Sequence, residues 1–481
     1  MSTTSIAVIG AGFSGTLLAL HLLRQCPPGT RIVLIERNRQ FGLGQAYATG
    51  NPNHLLNVPA GRMSAFHQHP DDFLHWLQAL PDSELDGLTP SAGSFVPRRL
   101  FGAYVRYLLR AEMRRPDRGN ELVLLQGDVV GIDRDAHPLV LHRDRGAPIQ
   151  AELAVLAVGN FPPAPVPVHD PSFYDSELYR PDPWAPDTFT GLDPTAAVLL
   201  IGTGLTAVDA AVSLLDQGHH GPIYALSRRG QLPRRHLAGT PPPDTALHPY
   251  PTGLTALTRS LRHEVADAEA AGGDWRPVID ALRPFTQDVW QALSLQDRAR
   301  FLRHLRPWWE VHRHRMPAPV ADRIEHAIGR RQLRVRPGHI HGFRVEDGMI
   351  DVIYRPRGGD TIATLLVARV INCAGPGADY DRIADPLVRR LLHEGTARPD
   401  PLRLGLDVTS TCALRLGTGA ISRRIFAVGP VTKPVFWEMT AVPDIRRQCE
   451  LLAHHLATLV KVPESITAPA STRRNVLDFV I

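Results

Sequence analysis

Cysteine is scarce in this chain, and lysine scarcer. The four cysteines among 481 residues, Cys26, Cys373, Cys412 and Cys449, lie far apart and form neither a CxxC pair nor a metal knuckle. That removes the dithiol of a disulfide reductase and fits a reducing, cytoplasmic compartment. Only two lysines, Lys433 and Lys461, stand among the 53 basic residues, and the arginines are scattered in short pieces without a basic tail. With a net charge of +5, the chain has no focused electrostatic footprint for nucleic acid; small anionic molecules are the partners its charge suits. Long apolar runs are missing too. The one candidate for export or membrane insertion is the apolar start, but it lacks a basic leader, carries three glycines and is followed by Arg24, so it reads as a fold element. What remains is globular, 43% hydrophobic and 21% charged, and long enough for two or three domains.

The organising stretch is residues 5–23. A short β-branched run leads into Gly10, Gly12 and Gly15 and then into an apolar helix, and a second short strand follows at 31–36, ending in Glu36. In a dinucleotide-binding unit Gly10 allows the turn, Gly12 lets a phosphate approach the backbone, and Gly15 lets the helix lie close to the sheet. Glu36, 21 positions after Gly15, can accept hydrogen bonds from a ribose and repels a 2′-phosphate, so this site suits FAD or NAD over NADP. The alternative is an ordinary buried strand-loop-helix with Glu36 as a solvated strand end.

Turn formers alternate with apolar pairs over 42–64, as in a loop folded over an extended cofactor with Asn57 and Arg62 as polar contacts, or a plain surface loop. Helices are expected at 71–80 and within 95–109, the latter with Pro97 at its front. Arg98 or Arg99 could meet a cofactor phosphate or the second face of a flavin, or be a solvated end charge. Short strands are expected at 122–126, 127–132, 139–142 and 150–153. The buried strand 154–158 ends in Gly159 and Asn160, at the carboxyl edge where ligands of parallel sheets bind. A proline- and aromatic-rich passage from His169 to Trp184 places a domain boundary near 190.

The motif then recurs. Residues 196–201 form a strand, Gly202, Gly204 and Ala207 supply a GxGxxA turn, and the strand at 222–227 ends in Ser227, Arg228 and Arg229. Where Glu36 offers acceptors this end offers donors, which suit the 2′-phosphate of NADPH. The alternative is a duplication whose second copy is structural. Residues 241–335 interrupt the pattern with helical stretches around 254–269 and 278–306, too long for one loop, and read as a helical insertion. Within it His312 and His314 alternate with Arg313 and Arg315; with no cysteine or HExxH nearby and arginines that repel a cation, packing or anion contact is expected there, and no metal.

Strands resume at 332–336, 340–345, 349–354 and 362–368, and 369–372 leads to Gly375. A strand at 424–428 ends in Gly429 and Pro430, which could place backbone N–H groups beside the cofactor, with Lys433 close behind and a helix at 442–461. The last twenty residues read as a loosely held tail. The expected architecture is α/β, with two Rossmann-like dinucleotide-binding domains and a helical insertion. A FAD-binding domain covers 1–190 and resumes at 371–481 with the tail, and a NADPH-binding domain covers 191–370.

The segments Ile9–Thr16, Leu43–Tyr47, His54–Ser64, Phe95–Tyr104, Val155–Asn160, Ile201–Asp209, Trp309–Arg315 and Ile371–Pro376 together resemble the FAD-NAD(P)-binding proteins of the YdhS-like type, over essentially the whole chain. That family is related in architecture to class B flavoprotein monooxygenases. The resemblance implies FAD on Gly10, Gly12, Gly15 and Glu36, and NADPH on Gly202, Gly204, Ala207, Arg228 and Arg229. Val155–Gly159 matches the strand ending that links the two domains of those monooxygenases, with Val158 in place of threonine. The Baeyer-Villiger fingerprint FxGxxxHxxxW is not reproduced, since His169 and Trp184 have the wrong spacing.

The expected chemistry is hydride transfer from NADPH to the flavin, reaction of reduced flavin with O2, and transfer of oxygen from a flavin C4a-peroxide to a small amine or sulfur substrate. Asn57, Arg62, Asn160 and Lys433 are candidate wall residues of that site. Two alternatives use the same sites: an NADPH reductase passing electrons to an organic acceptor, and a nucleotide-binding sensor without turnover. Neither the substrate nor the oligomeric state is legible.

Overall fold

The computed structural model describes residues 4–115, 119–237 and 250–460; the expected C-terminal tail lies outside them. Two compact units result. The first comprises the chain up to Ala48, Pro59–Asn160 and the chain from Ala378 on; the second comprises Thr49–Val58 and Phe161–Gly377.

The first unit is built on a six-stranded sheet with spatial order Ala413–Arg415, Ile421–Ala427, Leu153–Leu156, Ser5–Ile9, Arg31–Glu36 and Glu121–Gln126. All neighbours are parallel except the edge strand Ala413–Arg415. Every residue of Ser5–Ile9 and of Leu153–Leu156 is buried, as expected of central parallel strands covered on both faces. The helices Phe13–Gln25 and Val442–Leu459 pack together, and the Cys449 Sγ lies 3.4 Å from the Ser14 carbonyl oxygen. A small antiparallel sheet of Val129–Asp133, Leu139–Arg143 and Ile149–Ala151 fills the connection before Leu153. Its first strand starts two residues later than expected, because the Gly127 N–H still bonds to the Glu36 carbonyl and closes the preceding strand.

The second unit carries a seven-stranded sheet in the order Ala363–Val367, Met349–Pro356, Leu333–Glu346, Ile223–Ser227, Val198–Ile201, Arg369–Asn372 and Tyr179–Arg180. The strands from Leu333 to Tyr179 in that order pair in parallel, and the two beyond Leu333–Glu346 are antiparallel. The strands expected at 332–336 and 340–345 are one continuous strand that kinks at a bulge between Ile340 and Gly342; its first half pairs with Ile223–Ser227 and its second with Met349–Pro356. Together the two units form tandem Rossmann-like sheets with a helical insertion in the second. The segments 161–190 and 371–377, expected in the first domain, fall in the second unit, because Arg369–Asn372 pairs with Val198–Ile201 and Tyr179–Arg180 pairs beside it.

The insertion is shorter than the sequence suggests. Val320, Ala321, Ile324 and Ala327 of the helix Ala318–Gly329 share one core with Ala207, Val208 and Ala211 of the helix Leu205–Asp216. That helix is therefore the crossover between the parallel strands Ile223–Ser227 and Leu333–Glu346. The inserted layer is the run of helices between Leu254 and Arg313, which the helix Leu254–Ala270 opens.

In each unit a histidine removed from solvent is held neutral by folding. Burial, reinforced by Arg24, lowers the pKa of His21 in the first unit from 6.5 to about 4. Burial, then Arg315, does the same to His236 in the second, also to about 4. A depressed histidine binds a proton more readily in the unfolded chain, so its stabilising effect is complete above pH 6.5 and is lost as pH falls toward 4. Each should contribute a loss of about 2 kcal/mol between neutral pH and pH 5. Urea midpoints should fall over that range, with a flatter pH dependence in His21→Leu and in His236→Gln; a pH-independent midpoint in the wild type would contradict this.

Candidate functional site

In the first unit the glycine turn is closed from both sides. The Gly10 N–H donates to the Ile35 carbonyl at 2.8 Å, and the Ala11 N–H donates to Glu36 Oε2 at 2.8 Å. The other carboxylate oxygen of Glu36 accepts from the Asn38 N–H at 3.0 Å. Gly10 sits at φ +103°, and a Cβ there would meet the Ala157 carbonyl oxygen at 2.4 Å. At Gly15 a Cβ would fall 1.9 Å from the Gly10 carbonyl oxygen, so the helix approaches the turn as closely as backbone allows. The helix Phe13–Gln25 starts after Gly12 with no side-chain cap and no acid in its first turn. Its free N–H groups and positive end suit a phosphate.

The turn at Gly429 joins this site. Gly429, at φ +80°, lies so close to the same helix that a Cβ would meet the Ser14 Oγ at 2.5 Å. Two positions of this turn have no N–H to offer: the Gly429 N–H is taken by Gln448 Oε1 at 2.8 Å, and Pro430 has none to give. Gln448 also donates to the Thr432 Oγ1 at 2.8 Å, and Thr432 donates to the Gly429 carbonyl at 2.8 Å. This buried glutamine, which no sequence motif marks, sets the shape of the turn. Gln448→Ala strands the Gly429 N–H and should lower stability by about 1–3 kcal/mol; a denaturation midpoint equal to the wild type would show that the turn holds its shape without it.

The remaining residues expected here are dispersed. Gly159 is at φ +69° with nothing within 4 Å of a would-be Cβ, and Asn160 beside it is exposed. Arg98 opens the helix Arg98–Arg114 and is half-buried, whereas Arg99 donates to the Glu84 carbonyl at 3.1 Å and pairs with Asp86. Arg99 is therefore spent on structure. Arg62 is exposed at the end of the short turn Ala60–Arg62, and the Lys433 ammonium lies 4.9 Å from the centroid of the Trp437 ring.

The second unit repeats the turn with a different strand end. The Gly202 N–H donates to the Leu226 carbonyl at 2.7 Å, and a Cβ at Gly202, φ +114°, would meet the Cys373 carbonyl oxygen at 2.4 Å, as Gly10 meets Ala157. The helix Leu205–Asp216 again lacks a side-chain cap and an acid in its first turn. A Cβ at Gly204 would meet nothing within 4 Å, which leaves room for a phosphate against the backbone, and Ala207 is packed inward at 3% exposure. Thr203 Oγ1 donates to the Gln231 carbonyl at 2.6 Å, so Ser227 gives its proton to Thr203 and accepts from the Gly230 N–H at 3.0 Å. Its hydroxyl proton is committed to the turn, which leaves the arginines as donors. Arg228 is exposed and makes no hydrogen bond or ion pair among the described residues. Arg229 donates to the His304 carbonyl at 3.3 Å and lies 5.9 Å from the Trp308 ring centroid.

Asn57 stands on a strap, Thr49–Val58, that belongs to this unit and not to the loop that precedes it. Asn51 and Asn53 donate to Asp216 Oδ2 at 2.9 and 3.0 Å, and His54 Nε2 lies 2.9 Å from the Ser213 Oγ. The Asn57 carbonyl is 3.1 Å from His236 Nε2. Arg62, Asn160 and Lys433 are in the first unit. In the Trp309–Arg315 segment the basic residues serve packing: Arg315, 3% exposed, pairs with Asp280, and His312 Nδ1 lies 2.8 Å from the Trp308 carbonyl.

All four cysteines are buried. Burial pushes the Cys26 thiol up to about 11 and Cys412 to about 12, and raises Cys373 and Cys449 further. None is poised as a thiolate nucleophile. Among the described residues no group of three or more histidines, cysteines or carboxylates could hold a metal ion, and no helix is long and apolar enough to cross a membrane.

A family model described as FAD-NAD(P)-binding matches residues 7–161. Among curated proteins none matches the chain significantly. Solved structures share the fold over nearly its whole length. The ornithine N-hydroxylase of Kutzneria sp. 744, in complex with reduced FAD, NADP+ and L-ornithine, superimposes with a TM-score of 0.64 at 14% identity, over 95% of this chain and 100% of that one. The cadaverine monooxygenase DfoA of Erwinia amylovora, bound to FAD, gives 0.64 at 11% identity, over 98% and 100%. The bacillithiol disulfide reductase of Staphylococcus aureus gives 0.54 at 10% identity, over 96% and 100%. At such identities the likeness is one of fold, and the fold hosts both oxygenation and disulfide reduction.

Proposed function

We propose that the chain is a FAD-dependent, NADPH-using monooxygenase of the YdhS-like type that hydroxylates the nitrogen of a small amine. The observation that carries this is the contrast between two equivalent strand ends. One glycine turn is closed by the carboxylate of Glu36 and the other is flanked by the unpaired guanidinium of Arg228. A carboxylate accepts from a ribose and repels a 2′-phosphate, whereas a guanidinium binds that phosphate.

On this reading the first helix N-terminus faces the FAD pyrophosphate across Gly12, with Gly10 and Gly15 setting the turn and Gly429 and Pro430 forming a wall beside it. Arg98 and Gly159 complete the cofactor's surroundings. Gly202, Gly204 and Ala207 seat the NADPH pyrophosphate, and Arg228 and Arg229 take its 2′-phosphate, with Ser227 holding the turn that presents them. The bound flavin supplies hydride acceptance and oxygen activation. Arg62, Asn160 and Lys433, all in the first unit, are the polar groups offered to substrate. The overall reaction, R–NH2 + O2 + NADPH + H+ to R–NHOH + NADP+ + H2O, needs no protein nucleophile, which accords with buried, unactivated cysteines and the absence of a dithiol pair. The same cysteines weigh against the disulfide-reductase chemistry of one fold relative. Amine oxygenation is favoured over sulfur by the ornithine and cadaverine hydroxylases among those relatives.

The test is NADPH oxidation by the FAD-loaded protein against a panel of amines, thiols and ketones, with hydroxylamine product quantified. Stimulation by an amine with matching hydroxylamine supports the proposal. Stimulation by a quinone under nitrogen with no oxygenated product would make it a reductase.

A further inference from the structure

The helical insertion contains a solvent-open pocket of about 380 Å3 whose arginines, Arg259, Arg262 and Arg300, are exposed at its mouth; its volume is within the range of small-molecule sites. One wall is the N-terminal half of the helix Leu254–Ala270, where Thr255, Thr258, Arg259 and Arg262 follow one another at helical spacing along a single face. The other is formed by Arg300, His304 and Leu305, at and just before the π-helical turn Phe301–Leu305. Leu254 and Leu305 give the cavity an aliphatic lining.

The charges around it do not balance. Asp297 is bonded to two of the lining residues through both its oxygens: Oδ1 takes Arg300 Nη1 at 2.9 Å and Oδ2 takes the Leu254 N–H at 3.3 Å. Arg300 also reaches the Thr255 Oγ1 at 3.4 Å. On the same helix Glu264 accepts from Ser260 at 3.0 Å and Asp267 faces His263 at 3.5 Å. Arg259 and Arg262 therefore line the cavity without a hydrogen bond or ion pair among the described residues. Two unpaired guanidiniums above an aliphatic lining match a molecule with an anionic head and a short apolar body.

The site also touches the nucleotide turn. His304, which lines the pocket, accepts through its carbonyl from Arg229. We propose that this cavity is an inhibitory effector site for a small organic anion, a carboxylate or phosphate monoester on an aliphatic body, and that its occupancy weakens binding of the 2′-phosphorylated nucleotide at Arg229. Like charges held on either side of His304 repel, so an anion in the cavity opposes a second phosphate beyond it, and a nucleotide without the 2′-phosphate feels this least. The coupling rests on the assignment of Arg229 to NADPH given above; the binding site does not.

Calorimetric titration of the FAD-loaded full chain with hexyl phosphate and with hexanoate separates the two head groups, with inorganic phosphate and hexanol as the head and tail alone. Saturable binding of one or both amphiphiles is expected, weakened at least about tenfold in the double variant Arg259→Ala, Arg262→Ala, which should keep wild-type NADPH oxidation in the absence of anion. The same ligand should raise the KM for NADPH roughly threefold in the wild type, leave NADH unchanged, and have no effect in the double variant. Equal binding of inorganic phosphate, or amphiphile binding that survives the double substitution, would overturn the site. Binding with no change in NADPH KM would overturn the coupling. If Arg229→Ala itself left NADPH KM unaltered while the amphiphile still bound, the assignment of Arg229 would have failed and not the cavity.

Discussion

Gly15→Ala is expected to yield a protein that no longer retains FAD. The added Cβ would stand 1.9 Å from the Gly10 carbonyl oxygen, and both partners are backbone, so the helix must move away from the turn that positions it. Overpacking of this kind costs about 1–3 kcal/mol or more, and every 1.4 kcal/mol is about tenfold in affinity where the displaced element is the binding element. Gly12→Ala separates cofactor from fold. There the Cβ would meet only the Gly44 backbone, its Cα at 3.4 Å and its N at 4.0 Å, both ordinary contacts, yet it would occupy the approach of a phosphate to the helix N-terminus. Gly12→Ala should therefore keep a wild-type unfolding midpoint and lose bound flavin, whereas Gly15→Ala loses both. Flavin absorbance after gel filtration, beside a urea titration, reads the two. Full flavin occupancy in Gly12→Ala would mean that the first glycine turn is structural only.

Arg228→Ala is expected to raise the KM for NADPH by about tenfold or more and to leave that for NADH nearly unchanged. A lost charge-assisted contact to a phosphate is worth about 1.5–3 kcal/mol. Arg228 is the clean probe because it is exposed and makes no hydrogen bond or ion pair among the described residues, so nothing else is disturbed by its removal. Arg229 is the less clean one, since its contacts with the His304 carbonyl and the Trp308 ring tie it to the insertion. Equal changes with both nucleotides would show that Arg228 does not read the 2′-phosphate.

Both glycine turns and the strands that carry them were legible in the sequence, because the chemistry is local: a buried β-branched run, glycines at fixed spacing and a charged strand end all fall within forty or so residues. The continuous strand Leu333–Glu346 was not, since Pro337 and Gly338 read as a break and only the neighbours on either side keep it extended. The strap Thr49–Val58 was hidden for a related reason. Its anchors, Ser213 and Asp216, lie more than 150 positions away on the helix Leu205–Asp216, and no local pattern reports a partner at that distance. Gln448 is the plainest omission: one amide satisfies the Gly429 N–H and the Thr432 hydroxyl from mid-helix. Ser227 shows the opposite error, a residue chosen for its donor whose proton the turn has already used.

Anaerobic titration of the FAD-reconstituted protein with NADPH, and separately with NADH, tests the central claim most directly, since it asks at once whether the acid-ended turn holds a flavin and whether the arginine-flanked turn selects the phosphorylated donor. The account predicts bound flavin that is bleached by about one equivalent of NADPH and by NADH only at roughly tenfold or higher concentration. A protein that binds no FAD, or a flavin that both nucleotides reduce equally well, would contradict it.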